Sequence, residues 1–211
     1  MAANKALVVR DREYVAVLDD VAAVLVASRS AAARSVNALM TSTYWLIGRR
    51  IVEGEQQGKE RANYGEQLVE RLSVDLTTRF GRGFGRRNLF QMRAFFMERR
   101  EIVQTLPAQS EVGGIVQAPP AQSGLLAHLA KSFPLPWTHY VRLLAVRSPD
   151  ARRFFEAEAL RGGWSSRQLD RQIQSQFYER TLLSKNKARM LAKGQVAEPS
   201  DTVSPDEAIK D

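Results

Sequence analysis

Residues 86–93 read Arg-Arg-Asn-Leu-Phe-Gln-Met-Arg, and their types and order suit the reading of a DNA duplex. The planar guanidinium groups of Arg86 and Arg87 can bond guanine O6 and N7 in bidentate fashion, and Gln91 can pair in the same manner with adenine. Arg82, just upstream, and Arg93 suit phosphate oxygens, as do the free backbone amides of a helix that starts near Arg86. Arg167 and Arg171, one helical turn apart, extend the same footprint. Double-stranded DNA is therefore the expected partner.

Other constellations point elsewhere and are weaker. Metal-assisted phosphodiester hydrolysis needs two or three acids and a Lys around one ion. Pro149-Asp150 is followed by Glu156 and Glu158, but no Lys stands two residues after either, and the run is helical rather than extended. Pro205-Asp206 has no such set after it. His139-x-x-Arg142, Trp164 and Tyr178 echo the His-x-x-Arg and nucleophilic Tyr of a tyrosine recombinase. Packing and capping are the expected roles of these side chains, and Trp45 and Tyr64 are likewise expected in the core. Gly81-Arg82-Gly83-Phe84-Gly85 is glycine-rich enough for a nucleotide loop but follows a helical pattern, not a strand. With no Cys and two His in 211 residues, disulfides, thiolate metal sites and a Cys nucleophile are excluded. No cofactor, metal or enzymatic activity is expected of the chain.

The charge distribution agrees with the first reading. Net charge is +8, and it is not spread evenly. Residues 1–78 are neutral, 79–100 hold seven Arg against Glu98 alone, and 142–189 hold eleven basic residues against five acidic ones. Residues 194–211 carry one Lys against five acids. Concentrated positive charge is what phosphate binding requires. No stretch is apolar for the length of a membrane span and the N-terminus lacks the apolar core of a signal peptide, so the expected compartment is the cytoplasm, with no membrane partner.

Helical periodicity must position these groups. Tyr14, Val17, Leu18, Val21, Val24 and Leu25 form one stripe over 12–28, and Val36, Leu39, Met40, Thr43, Tyr44, Ile47 and Ile51 form another over 31–55. A loop is expected at 56–63. Leu68, Leu72 and Leu76 mark a helix over 64–80, stopped by Gly81 and Gly83. A fourth helix over 86–101 buries Leu89, Met92 and Phe96, with Phe95 at the edge. Helix, short glycine turn and helix make a helix-turn-helix, with the fourth helix in the recognition position and packed on the third.

Residues 104–124 are rich in Gln, Pro, Ala, Ser and Gly and hold a short repeat, IVQTLPAQS at 102–110 and IVQAPPAQS at 115–123. They read as a surface loop or a wing, and the two Ile-Val pairs would be the strands of a small hairpin. Helix resumes at Pro136, with Trp137, Tyr140, Leu143 and Leu144 on one stripe. Ser148 caps a further helix that buries Phe154, Phe155 and Leu160 and ends at Gly162-Gly163. Ser165 or Ser166 caps a last long helix with Leu169, Ile173, Phe177 and Leu182 inward.

The fold class is thus all-α or mostly α, a helix-turn-helix core with or without a wing. The expected organisation is an N-terminal helix (1–30), a helical region with the helix-turn-helix (31–103), a variable loop or wing (104–134), a C-terminal helical region (135–193) and an acidic disordered tail or linker (194–211).

Four stretches carry a family resemblance: ARSVNALM (33–40), YWLIGRRIVEGEQQGKERANYGEQLVERLSVDLTTRFGRGFGRRNLFQMRAFF (44–96), LPWTHYVRLL (135–144) and FFEAEALRGGWSSRQLDRQIQSQFYER (154–180). They resemble the N-terminal domain of the YhcG family of bacterial nucleases. The resemblance implies a helical, winged-helix-like DNA-binding region, followed in the family by a PD-(D/E)xK nuclease half. The family tends to have Ser where this chain has Gly85, which weakens a phosphate contact from the cap more than it weakens the helix. Residues 207–211 resemble the segment just before the nuclease half, where this chain stops. The resemblance therefore implies a targeting module without catalytic residues, as a fragment, a split gene or a stand-alone protein, with the nuclease domain as partner in cis or in trans.

The competing reading is a protein-interaction or oligomerisation module, homo-oligomeric or within a restriction-type complex. In it the apolar stripes of the first helices pair with a partner, since core burial and interface burial look alike in sequence.

Overall fold

The computed structural model describes residues 2–57, 64–105 and 119–201. Among them are nine α-helices and no strand. The first, α1, runs unbroken over Ala2–Gln57. The two helices expected over 12–28 and 31–55 are one. The expected break lay at Arg29-Ser30, but residues 2–53 contain neither Gly nor Pro except Gly48, so nothing forces the backbone out of the helix there.

α2 spans Tyr64–Phe80 and α3 spans Arg86–Glu98. A 3-10 segment follows at Arg100–Thr105, so α3 ends three residues short of expectation. α4 spans Pro119–Ala130, inside the stretch expected to be loop or wing. Its end carries Leu129, fully buried, and the chain continues inward through Phe133 and Leu135. Ile102, expected as part of a hairpin strand, lies in the 3-10 segment, and the second Ile-Val pair falls outside the described residues.

The C-terminal region is a chain of short helices: α5 (Trp137–Leu144), α6 (Pro149–Gly162), α7 (Ser166–Gln174), α8 (Phe177–Leu183) and α9 (Lys187–Gly194). Ser148 Oγ accepts from the Ala151 amide at 3.3 Å, and Ser165, not Ser166, caps α7 by accepting from the Gln168 amide at 3.2 Å. The expected last long helix breaks at Ser175-Gln176, where Gln176 adopts a left-handed conformation with φ 53°. The break puts α8 out of phase with α7, so Leu182, expected inward, is 54% exposed. Leu160 is likewise 53% exposed, because α6 turns Phe155 and Ala159 inward instead.

The core is aromatic. Trp45 of α1 meets Phe96 of α3 at 5.1 Å, and Phe95 lies 4.8 Å from Tyr140, 5.1 Å from Phe133 and 5.4 Å from Trp137. Such ring pairs add about 0.5–1.5 kcal/mol each beyond the area they bury. α1 and α3 approach closely at Gly48, where a Cβ would collide with the Met92 carbonyl. The recognition-type helix therefore rests chiefly on α1. α2, expected to be its main support, buries only Val69 fully, with Leu72 and Leu76 half-buried. Among the described residues no helix is long and apolar enough to cross a membrane.

Candidate nucleic-acid interface

α2, the turn 81–85 and α3 form one unit. Gly81 and Gly83 have φ of 81° and 111°, conformations that side chains with a Cβ resist. The Gly81 amide closes α2 on the Thr77 carbonyl at 2.9 Å. Gly85 stands at the N-cap of α3 with extended backbone and no side-chain cap, so the first amides of α3 face outward without a competing hydroxyl.

The turn is fixed from behind. Asn88 Nδ2 donates to the Gly83 carbonyl at 2.5 Å, and Asn88 Oδ1 accepts from Trp137 Nε1 at 2.9 Å. One amide side chain thus ties α3, its preceding turn and α5 together. The inner face of α3 is buried through Leu89, Met92, Phe95 and Phe96. Arg82, Arg86 and Arg87 are exposed, and Gln91 is half-exposed on the same outer face. Arg86 lies over the Phe90 ring at 5.5 Å. Among the described residues no carboxylate forms an ion pair with Arg82, Arg86 or Arg87.

Arg93 and Arg171, also expected as contacts, are held by carboxylates. Arg93 Nε donates to both Glu55 oxygens, at 2.7 and 2.9 Å, locking α3 to the end of α1. Its position at the border of the buried face brings it to Glu55 instead of outward. Arg171 forms ion pairs with Glu198 and, at 2.6 Å, with the buried Asp201. That clamp also orders residues 196–201, so the expected disordered tail does not begin at 194; residues 202–211 lie outside the described set. Arg167 is exposed on α7.

Among the described residues, the side chains considered for other chemistries are engaged in packing and ion pairs. His139 is buried with Nε2 2.8 Å from the Trp164 carbonyl, Arg142 sits 3.7 Å from Asp170, and Tyr178 packs on Phe154 at 5.3 Å. Glu156 pairs with Arg99, Glu158 with Arg161 and Asp150 with Arg153. Among the described residues no three acids or histidines gather as a metal site. Tyr140, buried beside Glu156, has its hydroxyl pKa raised, first by loss of water and then by the neighbouring carboxylate.

Asn88 and Glu55 were not legible as site residues. Asn88 looks like a filler between Arg87 and Leu89, and its partner Trp137 is 49 residues away.

The DUF1016 N-terminal domain matches residues 20–180. The chain belongs to this family. It is also similar to a protein named "Putative nuclease YhcG" from Escherichia coli (strain K12), with 51% identity over 205 residues, covering 94% of this chain and 54% of that protein. The chain thus spans about half the length of the relative it matches. No solved structure matches it significantly. Within this DUF1016 N-terminal domain, the matched span includes α2, the turn and α3, and ends in α8.

Proposed function

We propose that this domain binds double-stranded DNA through α3, as the targeting module of a nuclease of the YhcG type. The observation that carries the reading is the contrast between the two faces of α3. The inner face is fixed in the aromatic core and the outer face holds Arg86, Arg87 and Gln91 with no carboxylate partner among the described residues. Arg86, Arg87 and Gln91 enter the major groove, and Arg82 with the first amides of α3 takes the flanking phosphate. Arg167 extends the contact to the C-terminal helices. Arg93 and Arg171 act as struts that hold the scaffold rather than as contacts.

Arg49, Arg99, Arg152 and Arg171, by contrast, each have their charge met by a carboxylate. Leaving three neighbouring guanidiniums uncompensated favours an anionic ligand. The test is binding to random and selected duplexes across salt concentrations. Affinity should fall steeply with salt, and Arg82→Ala should lower the log–log slope by about 1 while weakening all sequences alike. Arg87→Ala and Gln91→Ala should each cost about 1–3 kcal/mol and relax sequence preference. No binding at low salt would overturn the reading. The purified chain with magnesium should leave DNA uncut; cleavage would overturn its role as a targeting module alone.

A further inference from the structure

The face of α1 turned away from the domain is apolar, long and uncovered. Ala33, Asn37, Thr41, Trp45 and Gly48 face the core, and the opposite face carries Tyr14, Leu18, Val21, Leu25, Ser28, Ala32, Ser35 and Leu39. The second series steps by four and three in strict alternation, which is the 3.5-residue period of a two-helix seam. Its large members are 41–67% exposed, over a run of about 38 Å at 1.5 Å per residue. We propose that two copies of this chain pair antiparallel along residues 14–39 of α1.

The order of large and small side chains along the seam selects the second copy and the antiparallel direction. In that direction, Leu25 of one copy meets Ser28 of the other, Val21 meets Ala32, Leu18 meets Ser35, and Tyr14 meets Leu39. Three of these four layers set a large side chain against a small one, so the two helices keep an even spacing and leave no void. A parallel pair would stack large on large near residue 21 and small on small near residue 32, opening a gap at one end. Because the domain packs on the other side of α1, it does not obstruct the seam.

The chain has no Cys, so single cysteines report the register cleanly. Sedimentation of the full chain over micromolar concentrations should show a monomer–dimer equilibrium. Val21→Cys chains mixed with Ala32→Cys chains should oxidise to a mixed 21–32 disulfide, and Val21→Cys alone should not link to itself. Leu25→Glu should raise the dissociation constant more than about tenfold with helical content unchanged, since Leu25 is exposed and lies outside the core of its own domain. A chain that stays monomeric at every concentration would overturn the proposal and assign the face to another partner. Self-linking of Val21→Cys would overturn the antiparallel register.

Discussion

Asn88 holds the geometry on which the proposed interface depends. It satisfies the Gly83 carbonyl on one side and the Trp137 indole on the other. Asn88→Ala strands the indole donor and frees the turn, which should cost about 1–3 kcal/mol in thermal or urea unfolding. If α3 reads DNA, that variant should also bind every duplex more weakly, because the turn that aims Arg82 is no longer held. Tyr140 makes a different kind of test. Its pKa is raised in the folded chain above the ordinary 10.0, chiefly by burial. The folded state therefore favours the neutral phenol. The stabilisation is fully present below pH 10 and is lost as pH rises beyond it. Melting temperature should decline in the alkaline range for the native chain, and Tyr140→Phe should flatten the decline.

At the scale of elements, the contact of α1 with α3 is the decisive one. Gly48→Ala would drive a methyl into the Met92 backbone, so it should destabilise by roughly 1–3 kcal/mol or more, read by urea midpoint, and shift α3 as it does so. Ser148→Ala, which removes the cap of α6 where that helix meets the C-terminal end of α3 at Glu98 and not its Arg86–Gln91 face, should cost about 1 kcal/mol and leave duplex binding unchanged. Local signals of this kind were legible in the sequence. The cap at Ser148, the stop at Gly81, the start of α3 at Arg86 and its buried Leu89, Met92 and Phe96 follow from short-range chemistry. What periodicity alone does not carry is which stripe meets which. The stripe of residues 14–25 has the same pattern as a core stripe, yet it is exposed, and α2 supports α3 less than α1 does. Glu55 with Arg93 and Arg171 with Asp201 join residues 38 and 30 positions apart, a distance at which no spacing rule operates. Helix α4 was hidden by composition, since Pro119-Pro120 at its start reads equally as a turn or as a helix N-terminus.

At the scale of the molecule, positive charge is distributed in two blocks, but their chemistry differs. In the C-terminal helices Arg142, Arg152, Arg161 and Arg171 are drawn into ion pairs, whereas the turn and the start of α3 keep theirs open. Removing charge from the two blocks should therefore act unequally: Arg86→Ala with Arg87→Ala should abolish most duplex affinity, while Arg153→Ala with Arg180→Ala should alter it little. The length of α1 has one more consequence. Paired as proposed, it works as a ruler. Gly48, where α3 is seated, lies about 65 Å from its counterpart along the helix axis at 1.5 Å per residue, close to two turns of B-DNA. Two identical half-sites about two turns apart should then bind cooperatively, an insertion of half a turn should break the cooperativity, and a full turn should restore part of it.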